Sequence, residues 1–277
     1  MHTTVSDGTD TPEEIIYRVK DAGIEIFSVT DHDAVKGCRS VLASRKKTDP
    51  NFITGVEFSC RDNGGKYHIL GYGYDPDSPA INAIVDKGHS NRMSKVMARL
   101  DFLKDRFGFA FEEADIKELL ARDNPGKPHI GNLMVKYGYV KTKEEAIRNF
   151  IDQVKFKSFS FRPEEVIKGI LDSGGIPVLA HPTYGSGDQL ILGEEMEQRI
   201  MHLLDYGIEG LEAFYSGFTD KITTELLAFA DRFDLYVTAG SDYHGSNKLI
   251  SLGDTGLDPS KERPERIVRF LERVSGE

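Results

Sequence analysis

Apolar residues along this chain alternate between two spacings: a helical recurrence every three or four positions, and short continuous blocks bounded by turn residues. Thr11, Pro12 and Glu14 form a capping-box pattern with proline at the first helical position, and Gly23 closes the helix they begin. Ile24 to Val29 reads as a short buried strand ending in Thr30-Asp31-His32-Asp33, followed by a helix over Val35 to Lys46 and a strand from Phe52 to Ser59. Asp62-Asn63-Gly64-Gly65 is a hairpin signal, and Tyr67 to Tyr72 is the returning strand. The second half repeats the alternation. Pro163 to Leu171 is helical, and Gly174-Gly175 ends it. Strands are expected over Ile176 to Ala180, Ile208 to Phe214 and Leu235 to Ala239, with helices near Glu194 to Asp205 and Thr219 to Phe233. Strands alternating with helices imply a mainly parallel sheet with crossover helices, and this many units fit a barrel better than an open sheet.

Strand signals vanish between about Lys87 and Arg162, where helical stretches such as Glu112 to Ala121, Pro128 to Tyr137 and Lys143 to Gln153 take over. The expected organisation is therefore a barrel made of 1–86 and 163–277, interrupted by a helical insertion over 87–162. Charge divides along the same line. The insertion holds 16 Lys and Arg against 10 Asp and Glu, a net of +6, which leaves 19 against 35 and a net of −16 for the rest. A charged stretch is ordinarily a solvated face; here it also reads as a cationic cap for an anionic substrate.

Composition narrows the class. The 39% apolar residues and 27 glycines together make up about half of the 277 positions, an ordinary globular share. No run is long and apolar enough for a membrane span, and the polar start MHTTVSDGTD is not that of a signal peptide. Two cysteines, Cys38 and Cys60, are too few for a disulfide scaffold and point to a reducing, cytoplasmic compartment. The overall charge of −10 argues against a general nucleic-acid coat, though metal ions could still supply positive charge for an anionic substrate.

The chemistry-bearing residues recur at one kind of place. Asp31 and His32 end one expected strand, Glu57 lies near the end of the next, His181 ends a third, and Asp242 and His244 follow a fourth. Parallel α/β barrels build their sites at the C-terminal strand ends, whereas scattered structural histidines have no reason to choose that edge. Imidazoles and carboxylates together suit zinc, manganese or iron. Cys60 is read as packing. The chain lacks the phosphate loop, the GxGxxG turn and the GxSxG elbow, so nucleotide-fold and serine-hydrolase readings lose support.

The ordered set His2-x-x-x-Ser6-Asp7-Gly8, Thr30-Asp31-His32-Asp33, Glu57, His68, Ala180-His181-Pro182 and Gly240-Ser241-Asp242-x-His244 resembles the PHP family, the polymerase-and-histidinol-phosphatase metal-dependent phosphoesterases. The likeness runs from His2 to about Gly253. Asn91-Arg92, Lys127-Pro128-His129-Ile130-Gly131 and Gly174 to Pro182 look like the branch that holds phosphoesterases of AMP or nucleoside 3′,5′-bisphosphates and a related 5′-3′ exoribonuclease. The resemblance implies a distorted (β/α)7 barrel with a helical insertion and two to three divalent ions (Mn, Zn or Fe). It implies His2, Glu57 and Asp242 on the first metal, Glu57 bridging to a second held by His68 and His181, and Asp7, His32 and His244 on a third. Asp31 and Asp33 are expected to orient the imidazoles. The family begins with a strand ending in Asp-Leu-His-x-His, of which only Met1 and His2 stand here. The first strand and first histidine are thus missing from this chain, and the natural protein is expected to begin upstream.

The implied reaction is in-line attack of metal-bound hydroxide on the phosphorus of a small phosphorylated nucleotide, with Asp242, His181 and His244 at the catalytic centre and His181 or His244 protonating the leaving group. Arg92 and His129 are the candidate phosphate contacts, His129 opening a helix after Pro128. Lys157, Arg162 and Lys248 are weaker candidates. An exonuclease acting on short RNA or DNA and a metal-poor, non-catalytic module are the alternatives, with histidinol-phosphate hydrolysis behind them. Oligomeric state is not legible.

Overall fold

The computed structural model describes residues 1–122, 125–154, 160–184 and 190–275. The chain divides into two compact units, 1–85 with 161–277, and 86–160.

Local signals set the first unit's elements. Helix α1 (Pro12–Asp21) begins with the reciprocal cap: the Glu14 amide donates to the Thr11 hydroxyl and the Thr11 amide to the Glu14 carboxylate. Its Ile15, Ile16 and Val19 pack with Phe27, Val29 and Val41 in one apolar cluster. Short strands β1 (Ile26–Phe27) and β2 (Asn51–Phe52) pair in parallel, with α2 (Lys36–Ser44) between them in sequence. Strands β3 (Gly55–Asp62) and β4 (Gly65–Tyr72) form the expected hairpin, and pairing continues to Asp62 opposite Gly65, whose φ of 131° favours glycine. Because β3 runs on to Asp62, Glu57 lies in its first half and not near its end. It still lies level with the β1 chain, bridging to His32.

Helix α7 (Pro163–Asp172) leads into β5 (Ile176–Leu179), which is antiparallel to β4. Helices α8 (Gly193–Leu204) and α9 (Asp220–Arg232) then cross over to β6 (Gly210–Tyr215) and β7 (Tyr236–Gly240), both parallel to their predecessors. Helix α10 (Glu265–Ser275) packs against β7. The result is a mixed α/β fold with a five-stranded sheet, β3-β4-β5-β6-β7, and a separate two-stranded one. Among the described residues the strands do not pair round into a closed (β/α)7 barrel. The hairpin makes β4 antiparallel, and between the end of β1 and the loop after β7 lie Met1 and His2, not a strand. The Thr30 amide donates to the Met1 carbonyl, and the His2 amide donates to the Tyr243 carbonyl.

Strand alternation decides what each face carries. Val56, Phe58, Cys60, Tyr67 and Ile69 face the main core beside Val166, Ile167 and Ile170 of α7. On the opposite face Leu70, Tyr72, Ile176, Val178 and Ala180 pack with Phe270 of α10 at one end. Glu57 and His68 occupy that same face nearer the other end. Apolar packing thus supports a polar layer at the edge where β5 and β7 finish.

The 86–160 unit is helical. Helix α3 (Pro79–Phe107) continues into it from the first unit, followed by α4 (Glu113–Leu120), α5 (Lys127–Lys136) and α6 (Lys143–Asn149). Its own core gathers Val96, Leu100, Leu103, Ile130, Met134 and Ile151, with Phe107, Phe109, Tyr139 and Phe150 stacked around them. No helix among the described residues is long and apolar enough to cross a membrane.

Candidate metal centre

Four loop segments and one strand pair deliver the site. Asp33, His181 and Asp242 each follow a strand with positive φ, at 52°, 26° and 52°. Non-glycine residues adopt this region at a conformational cost that surrounding structure must hold in place. For His181 the restraint is Glu212 of β6, fully packed, whose carboxylate accepts the His181 amide at 2.8 Å.

His2, His32, His68, His181 and His244 come together with Asp7, Glu57 and Asp242. Three sets bring ligand atoms within 4.8 Å of one another: His2, Asp7, His32 and His244; His32, Glu57 and His68; and His2, Glu57 and Asp242. His181 joins the middle set, with Nε2 3.3 Å from Glu57 Oε1 and 3.2 Å from His68 Nδ1. His68, interior to β4, reaches Glu57 Oε1 at 2.6 Å because residues 57, 59 and 68 share one face. His2 and His32 each belong to two sets, where the resemblance divided them between separate metals.

The donor geometry fits cations. His2 Nε2 is 3.0 Å from Glu57 Oε2 and 3.2 Å from Asp242 Oδ1, yet this buried nitrogen is aligned with neither for a hydrogen bond. Such atoms converge on a shared point and do not pair along an N–H axis. His244 Nδ1 lies 2.7 Å from the Asp242 carbonyl, which only accepts, so that nitrogen carries the proton. In the neutral ring its Nε2, 3.2 Å from Asp7, then presents a lone pair, the tautomer a metal ligand needs. Imidazole and carboxylate donors in this mixture suit divalent transition ions.

Electrostatics point the same way. Burial alone would lower His2, but Asp242 and Glu57 outweigh it and raise its pKa to about 9. Burial dominates at His32 and brings it down to about 3, against the pull of Glu57. Burial opposes ionisation of Glu57, Asp7 and Asp242, yet the surrounding histidines hold all three carboxyls well below the usual range. The centre therefore gathers anionic oxygen around basic nitrogen and favours added positive charge. Glu212, where burial prevails, is pushed up to about 7.

Asp31 has a different partner from the one expected. It accepts from the Thr3 amide, the Thr3 hydroxyl and the Ser6 hydroxyl, each at 2.7 Å, so it anchors the 3–8 loop. Ser6 in turn contacts His2 Nδ1 at 3.4 Å, so Asp31 reaches the imidazole through one hydroxyl. Asp33 accepts the Ser59 amide at 3.3 Å, and the Ser59 hydroxyl meets His68 Nε2 at 3.3 Å.

A cavity of about 300 Å3 opens beside the cluster, lined by His32, Glu57, His68, His181, Tyr184, Tyr215, Asp242 and Lys248. Tyr215 donates to Asp242 Oδ2 at 3.0 Å, and Lys248 forms a short ion pair with the same oxygen. Sequence reasoning missed Tyr184, Tyr215 and Glu212. Tyr215 could have been found, since it ends β6 at the edge where the other candidates gather. Arg162 pairs with Glu164 at 3.7 Å, both exposed, and Lys157 lies outside the described residues.

Arg92 and His129 belong to the 86–160 unit. His129, in the first turn of α5, accepts the Gly126 amide on Nδ1 at 3.1 Å, leaving Nε2 to donate when the ring is neutral. Burial, then the positive charge of Arg122, Arg92 and Lys143, lowers its pKa.

Residues 1–126 match the PHP domain family. A 5′-3′ exoribonuclease of Haemophilus influenzae is 27% identical over 91% of each chain. A 3′,5′-nucleoside bisphosphate phosphatase of Chromobacterium violaceum is 29% identical over 88% of this chain and 85% of its own. A Bifidobacterium adolescentis structure assigned as a metal-dependent phosphoesterase superposes with a TM-score of 0.76 at 26% identity, covering 98% of this chain and 94% of that one. Spaced motifs, convergent ligands and these relationships agree: residues 1–126 match a PHP domain, and the chain as a whole is similar to metal-dependent phosphoesterases of that family.

Proposed function

We propose that this protein hydrolyses phosphomonoesters of small nucleotides, of the AMP or nucleoside 3′,5′-bisphosphate type. The observation that carries the reading is the cavity of about 300 Å3, lined by histidines and carboxylates together with two phenols and a lysine. That volume lies at the lower end of the range for small-molecule sites, and suits a mononucleotide better than a chain. The bisphosphate phosphatase relative supports the same substrate class.

In this reading His2, Glu57 and Asp242 hold one divalent ion, Glu57, His68 and His181 a second, and Asp7, His32 and His244 a third. When bound, such ions lower the pKa of water and neutralise phosphoryl charge. The chain's own groups do the rest. Lys248 and Tyr215 engage the outer oxygen of Asp242 and leave its inner oxygen facing His2. His244 is buried with its Nδ1 proton committed to a carbonyl, which supports a ligand role over an acid role. His181 lines the cavity but turns its Nε2 to Glu57 and His68, so in this reading it too serves as a ligand and the leaving oxygen takes its proton from solvent in the cavity. Arg92 offers a planar fork for phosphate, and His129 offers its Nε2 proton.

A manganese-supplemented phosphate-release screen tests this against AMP, 3′,5′-bisphosphates, short 5′-phosphorylated oligonucleotides and histidinol phosphate. Turnover is expected on the first two. Asp242→Ala and His181→Ala should abolish it while thermal unfolding stays cooperative; near-normal turnover in either variant refutes the assignment. The exoribonuclease relative and the insertion's positive charge favour a second reading, cleavage of short RNA. Polynucleotide binding is steeply salt-dependent, so activity that collapses between low and moderate salt selects that reading.

A further inference from the structure

We infer that Tyr184 is the specificity residue of this site, the aromatic surface on which the substrate's base stacks; the inference rests on the nucleotide reading above. Among the described residues, three cavity-lining groups stand outside the ligand cluster, and two of them are committed. The Tyr215 hydroxyl and the Lys248 ammonium both bind Asp242, and Tyr215 is 8% exposed. Tyr184 lines the same cavity and is 42% exposed.

Its placement is built. The Tyr184 amide donates to the His181 carbonyl at 3.0 Å, which ties the tyrosine one tight turn after a ligand candidate. Between them Thr183 is fully buried, and its carbonyl accepts the Ile191 amide at 2.9 Å. Tyr215 stands 5.8 Å from the Tyr184 ring at 63°, Phe218 6.1 Å away at 33°, and the His181 ring 6.0 Å away. These contacts back the ring from several sides while nearly half the residue stays open. Gly217 also bears on the position: a side chain there would begin 2.8 Å from the Tyr184 hydroxyl. This ring is braced and left partly uncovered beside the ligand candidate His181, on the wall of the cavity. An aromatic held in that way matches the π-face of a nucleobase, whose stacking is sequence-tolerant and measurable by truncation.

The test compares kcat/KM for AMP with that for ribose 5-phosphate, which carries the same phosphomonoester without the base, in the full-length wild type, Tyr184→Ala and Tyr184→Phe. The preference for AMP should fall about tenfold in Tyr184→Ala, mostly through KM, and persist in Tyr184→Phe. A preference unchanged in Tyr184→Ala, or absent in the wild type, overturns the inference. Adenosine binding to the same proteins, followed by equilibrium dialysis, separates this claim from the reaction. If neither phosphoester turns over, the proposed function fails. Weaker adenosine binding by Tyr184→Ala than by wild type and Tyr184→Phe still supports stacking, and equal binding overturns it.

Discussion

Replacing Asp31 by alanine should damage the centre without touching a metal ligand. The carboxylate is fully buried and accepts three hydrogen bonds of 2.7 Å, from the Thr3 amide, the Thr3 hydroxyl and the Ser6 hydroxyl. Hydrogen bonds to charged groups contribute about 1.5–3 kcal/mol each, and a buried donor left without a partner costs about 1–3 kcal/mol. The two hydroxyls can turn to other acceptors; the Thr3 amide, in a residue with no exposed surface, cannot. Removing the buried carboxylate also relieves its desolvation. The net expectation for Asp31→Ala is a loss of about 3 kcal/mol in unfolding free energy. Function should suffer as well, because the anchored loop carries Asp7 and because Ser6 links Asp31 to His2. Loss of such a supporting contact typically weakens metal affinity about 10–100-fold. Gly37→Ala would crowd the same carboxylate, since its new methyl would start 1.9 Å from Asp31 Oδ2. Urea unfolding with and without chelator reads the first effect, and phosphate release against manganese concentration reads the second. Unfolding within about 0.5 kcal/mol of wild type, together with an unchanged manganese requirement, would refute the reasoning.

Chelation should lower both activity and the unfolding temperature, because Glu57 and Asp242 then share one ligand set, and Asp7 stands in another, without added positive charge. Restored manganese at 100 times its dissociation constant should return about 2.7 kcal/mol per site, and identical unfolding curves in both conditions would contradict a metal centre. Arg92→Ala should raise KM for the nucleotide and leave kcat nearly intact, the signature of lost ground-state binding. Unchanged kinetics would remove Arg92 from substrate recognition.

Much of the architecture follows from local pattern alone. The Thr11 to Glu14 cap starts a helix by satisfying its own first amides, whatever packs above it. The Asp62 to Gly65 run makes a hairpin because glycine tolerates the backbone the turn needs. Alternation along residues 56 to 60 assigns Val56, Phe58 and Cys60 to the core and sends Glu57 and Ser59 to the other face. The strand-end positions of His32, His181, Asp242 and His244 were legible for the same reason: a period of two and a following turn are properties of neighbours in sequence.

Tertiary structure decided what those properties cannot carry. Asp31 sits beside His32 in sequence, yet it serves a loop 28 residues upstream, because strand direction and not adjacency sets where a buried carboxylate points. Glu212 becomes the anchor of the His181 backbone only when β5 and β6 align. Tyr184, unremarkable as a letter, and Lys248, only a weaker candidate from the sequence, meet one cavity from loops after different strands. Closure of the strands is likewise a long-range matter, since it depends on which chain lies between β1 and β7, and here Met1 and His2 occupy that place. Short-range periodicity chooses the face of each element. Which faces converge, and what they enclose, is settled by packing between segments far apart in the chain.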